Sequence, residues 1–242
     1  MTDDQVNENR GEMLEQSIDA YQEEPEGRKR RPVSVSRRTF TIGVASAAVL
    51  FGLGALRYVG HTPLTRPPGG QDEAHLVSAC IRCERCYEVC PRNVIVPAHI
   101  EDGLLGMRTP TFDFSSDYCS YCKDENDGEP LCVASCPTGA LQLPEDATAD
   151  TVIIGKAELD KTTCLAFRDT GCRECYDACK EARGEEHLAI ELTGNGDNIK
   201  PKVIADKCNG CGACEAACIS LSAGSIVTGA TERAIVIRPV EE

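Results

Sequence analysis

The sequence predicts an α+β body in which short strands and one- or two-turn helices are wound around cysteine-rich loops. Three observations carry that prediction. The 242 residues include 16 cysteines, all of them between Cys80 and Cys218. Only 5% of the residues are aromatic and none is Trp, too few for one large aromatic core, so something other than ring packing must organise the body. Finally, short apolar and β-branched runs are interleaved with the cysteines: NVIV (93–96), ALQL (140–143), TVII (151–154), LAIEL (188–192), KVIA (202–205), SIVTG (225–229) and AIVI (234–237). Each is strand-length and stands beside turn residues.

The cysteines resolve into four sets of four, with none left over. The first, CIRCERCYEVCP, places Cys80, Cys83, Cys86 and Cys90 at gaps of two, two and three residues before Pro91. That is the bacterial iron–sulfur run: a tight loop presents three thiolates to one cubane, and the fourth, a helical turn further on, ligates a different cluster. The last, CNGCGACEAAC, repeats those gaps at Cys208, Cys211, Cys214 and Cys218, with Gly210 and Gly212 permitting turns that bulkier residues resist.

The two middle sets are stretched. Cys119, Cys122, Cys132 and Cys136 carry a nine-residue second gap, and Cys164, Cys172, Cys175 and Cys179 a seven-residue first gap. A longer surface loop costs only about 0.6 kcal/mol per doubling of its length, so the flanking ligands need not move. Because each set must lend its fourth ligand to another, the even tally makes the third set a working one. Disulfide and zinc readings compete with this one. Disulfide scaffolds are usually smaller and lack the triplet spacing, and zinc sites built on paired CxxC have no use for the third and fourth cysteine. All 16 cysteines are therefore candidate 4Fe-4S ligands, four clusters in all, and the cluster-free protein is expected to be largely unfolded. The sets recur at about 40-residue intervals, as in an internal repeat.

Ahead of this body lies a leader without cysteine. Residues 1–35 form a polar, largely acidic extension ending in a basic block, and 36–60 run from SRRTFTIG into the uncharged Thr41–Leu56. Basic then apolar is the order of an export signal, and Ser36, Arg37, Arg38 and Phe40 match the twin-arginine pattern. No small-x-small cleavage site follows, so an uncleaved membrane anchor is an alternative to a cleaved signal. Residues 61–75, rich in Pro and Gly, read as an extended linker to a body spanning 76–242.

Taken together, SRRTF, RPPGG (66–70), LVSACIRCERCYEVCP, CVASCPTGAL, the stretched third set and CNGCGACEAAC resemble the NapG/MauM family of ferredoxin-type proteins, over Ser36 to about Pro239. The resemblance implies a ferredoxin-like body of two dicluster units packed together. It implies an exported carrier of four 4Fe-4S clusters, periplasmic or on the outer face of the cytoplasmic membrane. Its partners would be a polytopic quinol-oxidising iron–sulfur membrane protein, a periplasmic molybdopterin reductase or its cytochrome, and the twin-arginine machinery. Similarity to the four-cluster subunits of molybdenum oxidoreductases implies a nested ligand scheme, since the near-equal intervals between sets do not decide pairing. In that scheme Cys80, Cys83 and Cys86 join Cys218; Cys208, Cys211 and Cys214 join Cys90; Cys119, Cys122 and Cys132 join Cys179; and Cys164, Cys172 and Cys175 join Cys136. Lys180 and Ile219 stand where such motifs often have Pro.

No catalytic residue is expected. His61, His75, His99 and His187 are scattered, and no nucleophile elbow, P-loop or Rossmann fingerprint occurs. A net charge of −14 excludes nucleic acid as a natural ligand. The alternative functions are the iron–sulfur subunit of another molybdopterin oxidoreductase and a cluster-bearing maturation factor.

Overall fold

The structure, a computed structural model, describes residues 36–37, 40–46, 49, 52, 63–222 and 231–240. The chain divides into two units, Met1–Phe51 and Gly52–Glu242. In the first, Ser36 accepts the Phe40 N–H at 2.9 Å, an i to i+4 bond that starts a helix on which Arg37 and Phe40 are exposed. Arg38 and most of 47–60 lie outside the described residues. Among the described residues no helix is long and apolar enough to cross a membrane.

The second unit holds the cysteines in a mixed fold of short elements. Helix α1 (Glu73–Ala79) starts where the Asp72 side chain accepts the His75 N–H at 2.9 Å, satisfying one of the N–H groups that a helix start leaves without a partner. Helices α2 (Arg85–Glu88), α3 (Leu131–Ala134) and α5 (Ala213–Ala216) are single turns. Helix α4 (Glu174–Arg183), at ten residues, exceeds the expected one or two turns. It ends at Gly184, and Arg173 pairs with Asp177 across its first turn at 2.7 Å.

Among the described residues the unit also holds three antiparallel two-stranded sheets: β1 (Ile95–Pro97) with β2 (Pro110–Phe112), β3 (Lys156–Leu159) with β6 (Ile235–Arg238), and β4 (Ile190–Thr193) with β5 (Lys200–Val203). The expected runs at 93–96, 188–192, 202–205 and 234–237 therefore fall on strands, give or take a few residues. Those at 140–143 and 151–154 do not, and 225–229 lies outside the described residues. Strand β2 (PTF) and strand β3 (KAEL) were not expected, being too short or too polar to stand out as apolar runs.

Part of the segment expected to be a linker is packed into the body. Arg66 is 3% exposed, Pro67 and Pro68 are fully buried, and Leu76 is 0% exposed. The Arg66 guanidinium donates to both Glu73 carboxylate oxygens at 2.7 and 2.5 Å, to Thr109 Oγ1 at 2.9 Å and to the Pro110 carbonyl at 2.8 Å. RPPGG is thus a pin tying α1 to β2, with Gly69 O accepting the Gln142 N–H at 3.0 Å.

Cysteines make up much of the buried interior. One core combines Phe114, Ile190, Ile235 and Ile237 with Cys175, Cys179, Cys208 and Cys214; a second sets Leu76, Ile95 and Leu141 around Cys132; a third joins Cys164 to Ala166 and Ala234. Phe112 packs against the first two and stacks on Phe114 at 4.9 Å.

Candidate metal centres

The loops between cysteines turn by the same device in the two unmodified sets. In CNGCGAC the left-handed positions are Gly210 (φ 79°) and Gly212 (φ 87°); in CIRCERC they are Arg82 (φ 58°) and Glu84 (φ 67°). Each non-glycine in that region costs about 1–2 kcal/mol, a strain the surrounding fold has to hold. The glycines of the last set are needed for a further reason. A Cβ on Gly210 would come within 2.3 Å of the Gly155 backbone, and one on Gly212 within 2.2 Å of the Phe114 ring.

The stretched loops are internally tied. In the second set Cys122 O accepts the N–H groups of Asn126 and Gly128, and the loop returns so that the Leu131 N–H points at Cys122 Sγ at 3.5 Å. In the third, Leu165–Arg168 forms a 3-10 turn closed by Asp169 at φ 55°, and the Gly171 N–H donates to Asp197 O at 3.0 Å, anchoring the gap to the β4–β5 hairpin.

These loops gather the sixteen thiols into four quartets. Cys80, Cys83, Cys86 and Cys136 line a first pocket, and Cys119, Cys122, Cys132 and Cys90 a second. Cys164, Cys172, Cys175 and Cys218 line a third, and Cys208, Cys211, Cys214 and Cys179 a fourth. Each quartet takes three cysteines from one set and its fourth from a neighbouring set, and in all four the fourth member differs from the one the nested scheme expects. Cys136 stands where nesting puts Cys218, Cys90 where it puts Cys179, Cys218 where it puts Cys136, and Cys179 where it puts Cys90.

Local hairpins are the reason. Strand β1 follows Cys90 and pairs with β2, which precedes Cys119; strand β4 follows Cys179 and pairs with β5, which precedes Cys208. Each fourth cysteine is thereby returned to the very next set. The reverse exchange is held by His75 Nε2 against Gly139 O at 2.9 Å, which brings the chain after Cys136 back to α1. Pairing of β3 with β6 does the same for Cys164 and Cys218.

The donor set fits iron–sulfur clusters. All sixteen cysteines are free thiols. Among the described residues no three His, Cys, Asp or Glu side chains converge on one point as a single metal ion requires, with zinc–sulfur bonds of about 2.3 Å; the thiols surround voids instead. Burial, helped by the charge of neighbouring thiols, pushes the thiols of Cys86, Cys119 and Cys175 up to about 12 and that of Cys211 to about 11. Cys136 moves the other way: burial raises it, but the N–H groups of Leu141, Thr138 and Ala140 and the Thr138 hydroxyl together bring it below the usual thiol value. Comparable N–H groups face other sulfurs, Ala157 donating to Cys208 Sγ at 3.4 Å. Such dipoles favour a thiolate, the form that binds iron.

Sequence reasoning missed the hydroxyls beside the sulfurs. Ser220, 2% exposed, places Oγ 3.2 Å from Cys218 Sγ, and Thr138 Oγ1 is 3.9 Å from Cys136 Sγ. The signal was present, a Ser or Thr two positions after the fourth cysteine in the second and last sets. Of the twin-arginine residues, Arg37 and Phe40 lie in the first unit, and Arg38 lies outside the described residues.

Cysteine quartets that exchange their fourth members across short hairpins, in a body of short helices and two-stranded sheets, define a ferredoxin-type iron–sulfur electron-transfer protein. The comparisons agree. A family model described as a 4Fe-4S dicluster domain matches residues 79–140, which span the first two quartets. The chain is 33% identical over 183 residues to "Ferredoxin-type protein NapG" of Escherichia coli, covering 73% of this chain and 75% of that one. It is 35% identical over 196 residues to "Methylamine utilization ferredoxin-type protein MauM" of Methylobacillus flagellatus, covering 78% and 79%, and 31% identical over 155 residues to "Ferredoxin-type protein NapF" of Escherichia coli, covering 63% and 79%. No solved structure matches the chain. The chain belongs to the NapG/MauM family of ferredoxin-type proteins.

Proposed function

We propose that the chain is an exported electron carrier with four 4Fe-4S clusters, one per quartet, built as two dicluster units packed together. It relays electrons from a polytopic quinol-oxidising iron–sulfur membrane protein to a periplasmic molybdopterin reductase such as nitrate reductase, or to that enzyme's cytochrome. The observation that carries this reading is the sorting of all sixteen thiols into four quartets, each with a donor from a neighbouring set.

When bound, the clusters supply one-electron capacity at potentials set by charge, solvent exposure and hydrogen bonds to sulfur. The chain's part is to hold sixteen thiolates, to exclude water around the buried ones, and to aim N–H and O–H groups at chosen sulfurs. Cys83 is exposed and Cys80, Cys86 and Cys136 are half-buried, so the first quartet is the one most open to a partner. Export by the twin-arginine route, as a cleaved or an anchored protein, rests on Ser36, Arg37, Arg38 and Phe40, and it suits a protein that acquires cofactors before crossing the membrane.

The test is anaerobic. Full-length protein loaded with iron and sulfide is expected to bleach with membranes whose quinone pool is reduced, and to recolour when a periplasmic molybdopterin reductase and its oxidant are added. Failure of quinol-charged membranes to reduce it at a turnover rate, or tight one-to-one co-purification with a different molybdopterin enzyme, would replace this reading.

A further inference from the structure

A seam that the cysteine arithmetic does not call for joins the second quartet to the fourth. Arg233 Nη1 donates to the Phe114 carbonyl at 2.8 Å and to the Glu215 carbonyl at 2.7 Å, while Nη2 donates to the Ser115 carbonyl at 2.6 Å. Phe114 and Ser115 lead into Cys119; Glu215 adjoins Cys214 on α5. Along the same seam the Cys119 N–H donates to the Cys211 carbonyl at 2.8 Å, and the Phe114 ring lies where any Cβ on Gly212 would be.

We propose that Arg233 is a positioning residue that fixes the separation of the second and fourth quartets. These then form the inner pair of a row whose ends are the first and third quartets. The chemistry suits arginine. A planar guanidinium presents several N–H donors in a rigid fork and stays charged, so it can hold three carbonyls from two segments at once; a lysine ammonium on a flexible stem cannot fix that geometry. The remaining adjacencies complete the row: Cys86 of the first quartet packs against the core that holds Cys132 of the second, and Cys175 of the third shares a core with Cys214 of the fourth.

The proposal rests on the reading that each quartet holds a cluster, and the experiment separates the two. Full-length protein, reconstituted anaerobically and fully reduced with dithionite, is examined by EPR for spin–spin broadening between neighbouring clusters, with iron content and far-UV circular dichroism measured on the same samples. Arg233→Met is expected to keep wild-type iron and dichroism and to lose the broadening component of the inner pair, the components within each sequence-adjacent pair persisting; Arg233→Lys is expected to recover part of it. Unchanged broadening at unchanged iron overturns the positioning role. Should Arg233→Met lose iron, Arg233→Gln, which keeps a similar volume and an amide donor but not the guanidinium fork, decides by the same criterion. Wild-type protein lacking a second or fourth cluster would show it in iron content before any substitution, and would overturn the underlying reading.

Discussion

The hydroxyl of Ser220 sits 3.2 Å from the sulfur of Cys218 and accepts the Ala234 N–H at 2.8 Å. With its lone pair engaged by Ala234, the hydroxyl is set to donate its proton to a ligating thiolate. A donor to a ligand sulfur favours the reduced, more negative state. Ser220→Ala should therefore lower one midpoint potential, by about 40 mV for each 1 kcal/mol of differential stabilisation lost in a one-electron couple. Potentiometric titration followed by EPR checks this, and the other three potentials should not move.

The exchange of fourth ligands gives a second prediction. Cys90→Ser should disturb the cluster held by Cys119, Cys122 and Cys132 and spare the one held by Cys208, Cys211 and Cys214. Cys179→Ser should do the reverse. Iron content and EPR of the reduced variants check both. Damage to the fourth quartet by Cys90→Ser would restore the nested scheme.

Arg66 offers a test of the body's edge. Its guanidinium is 3% exposed and holds Glu73, Thr109 and Pro110 together. Breaking a buried pair by removing one partner costs about 3–5 kcal/mol, and Glu73, at 29% side-chain exposure, brings this towards the low end. Arg66→Met should therefore destabilise the loaded protein by about 3 kcal/mol, read as an earlier denaturant midpoint, with the first quartet losing iron before the fourth.

Cluster binding should weaken in acid. A thiol in an unfolded chain titrates above neutrality, and burial pushes Cys86, Cys119 and Cys175 up to about 12 where the chain is folded, so in either form they hold their protons at neutral pH and must release them on loading. Each released proton makes loading less favourable as pH falls, so clusters should be lost progressively faster below neutrality. Iron release to a chelator at a series of pH values checks this; a rate independent of pH would contradict it. Because the thiols form much of the interior, loss of the clusters should also unfold the second unit, visible in the far-UV spectrum.

Much of the site was legible because ligand spacing is a local property: a thiol two residues from another must share its loop. The division of the thiols into four triplets, each with a fourth member sent elsewhere, and four of the strands could be read that way. The pairing could not, since it depends on which strands meet, and the intervals between sets are nearly equal. A cue was nonetheless present between the last two sets, where the expected strands 188–192 and 202–205 flank the turn-forming stretch TGNGDN, the mark of a hairpin that returns Cys179 to Cys208. Between the first two sets the cue was weaker, because β2 is only Pro110–Phe112 and its partner ends in Pro97. Arg66 and Pro67 read as linker from composition alone. Only the fold shows that the arginine has four acceptors waiting for it.

The central claim is that all four quartets, including the one with the stretched loop at Cys164 and Cys172, hold 4Fe-4S clusters. Iron and acid-labile sulfide on anaerobically prepared full-length protein test it most directly. The account predicts about 16 of each per chain, every cluster being a four-iron unit. A value near 12 would remove the third quartet, and zinc in place of iron would contradict the account altogether.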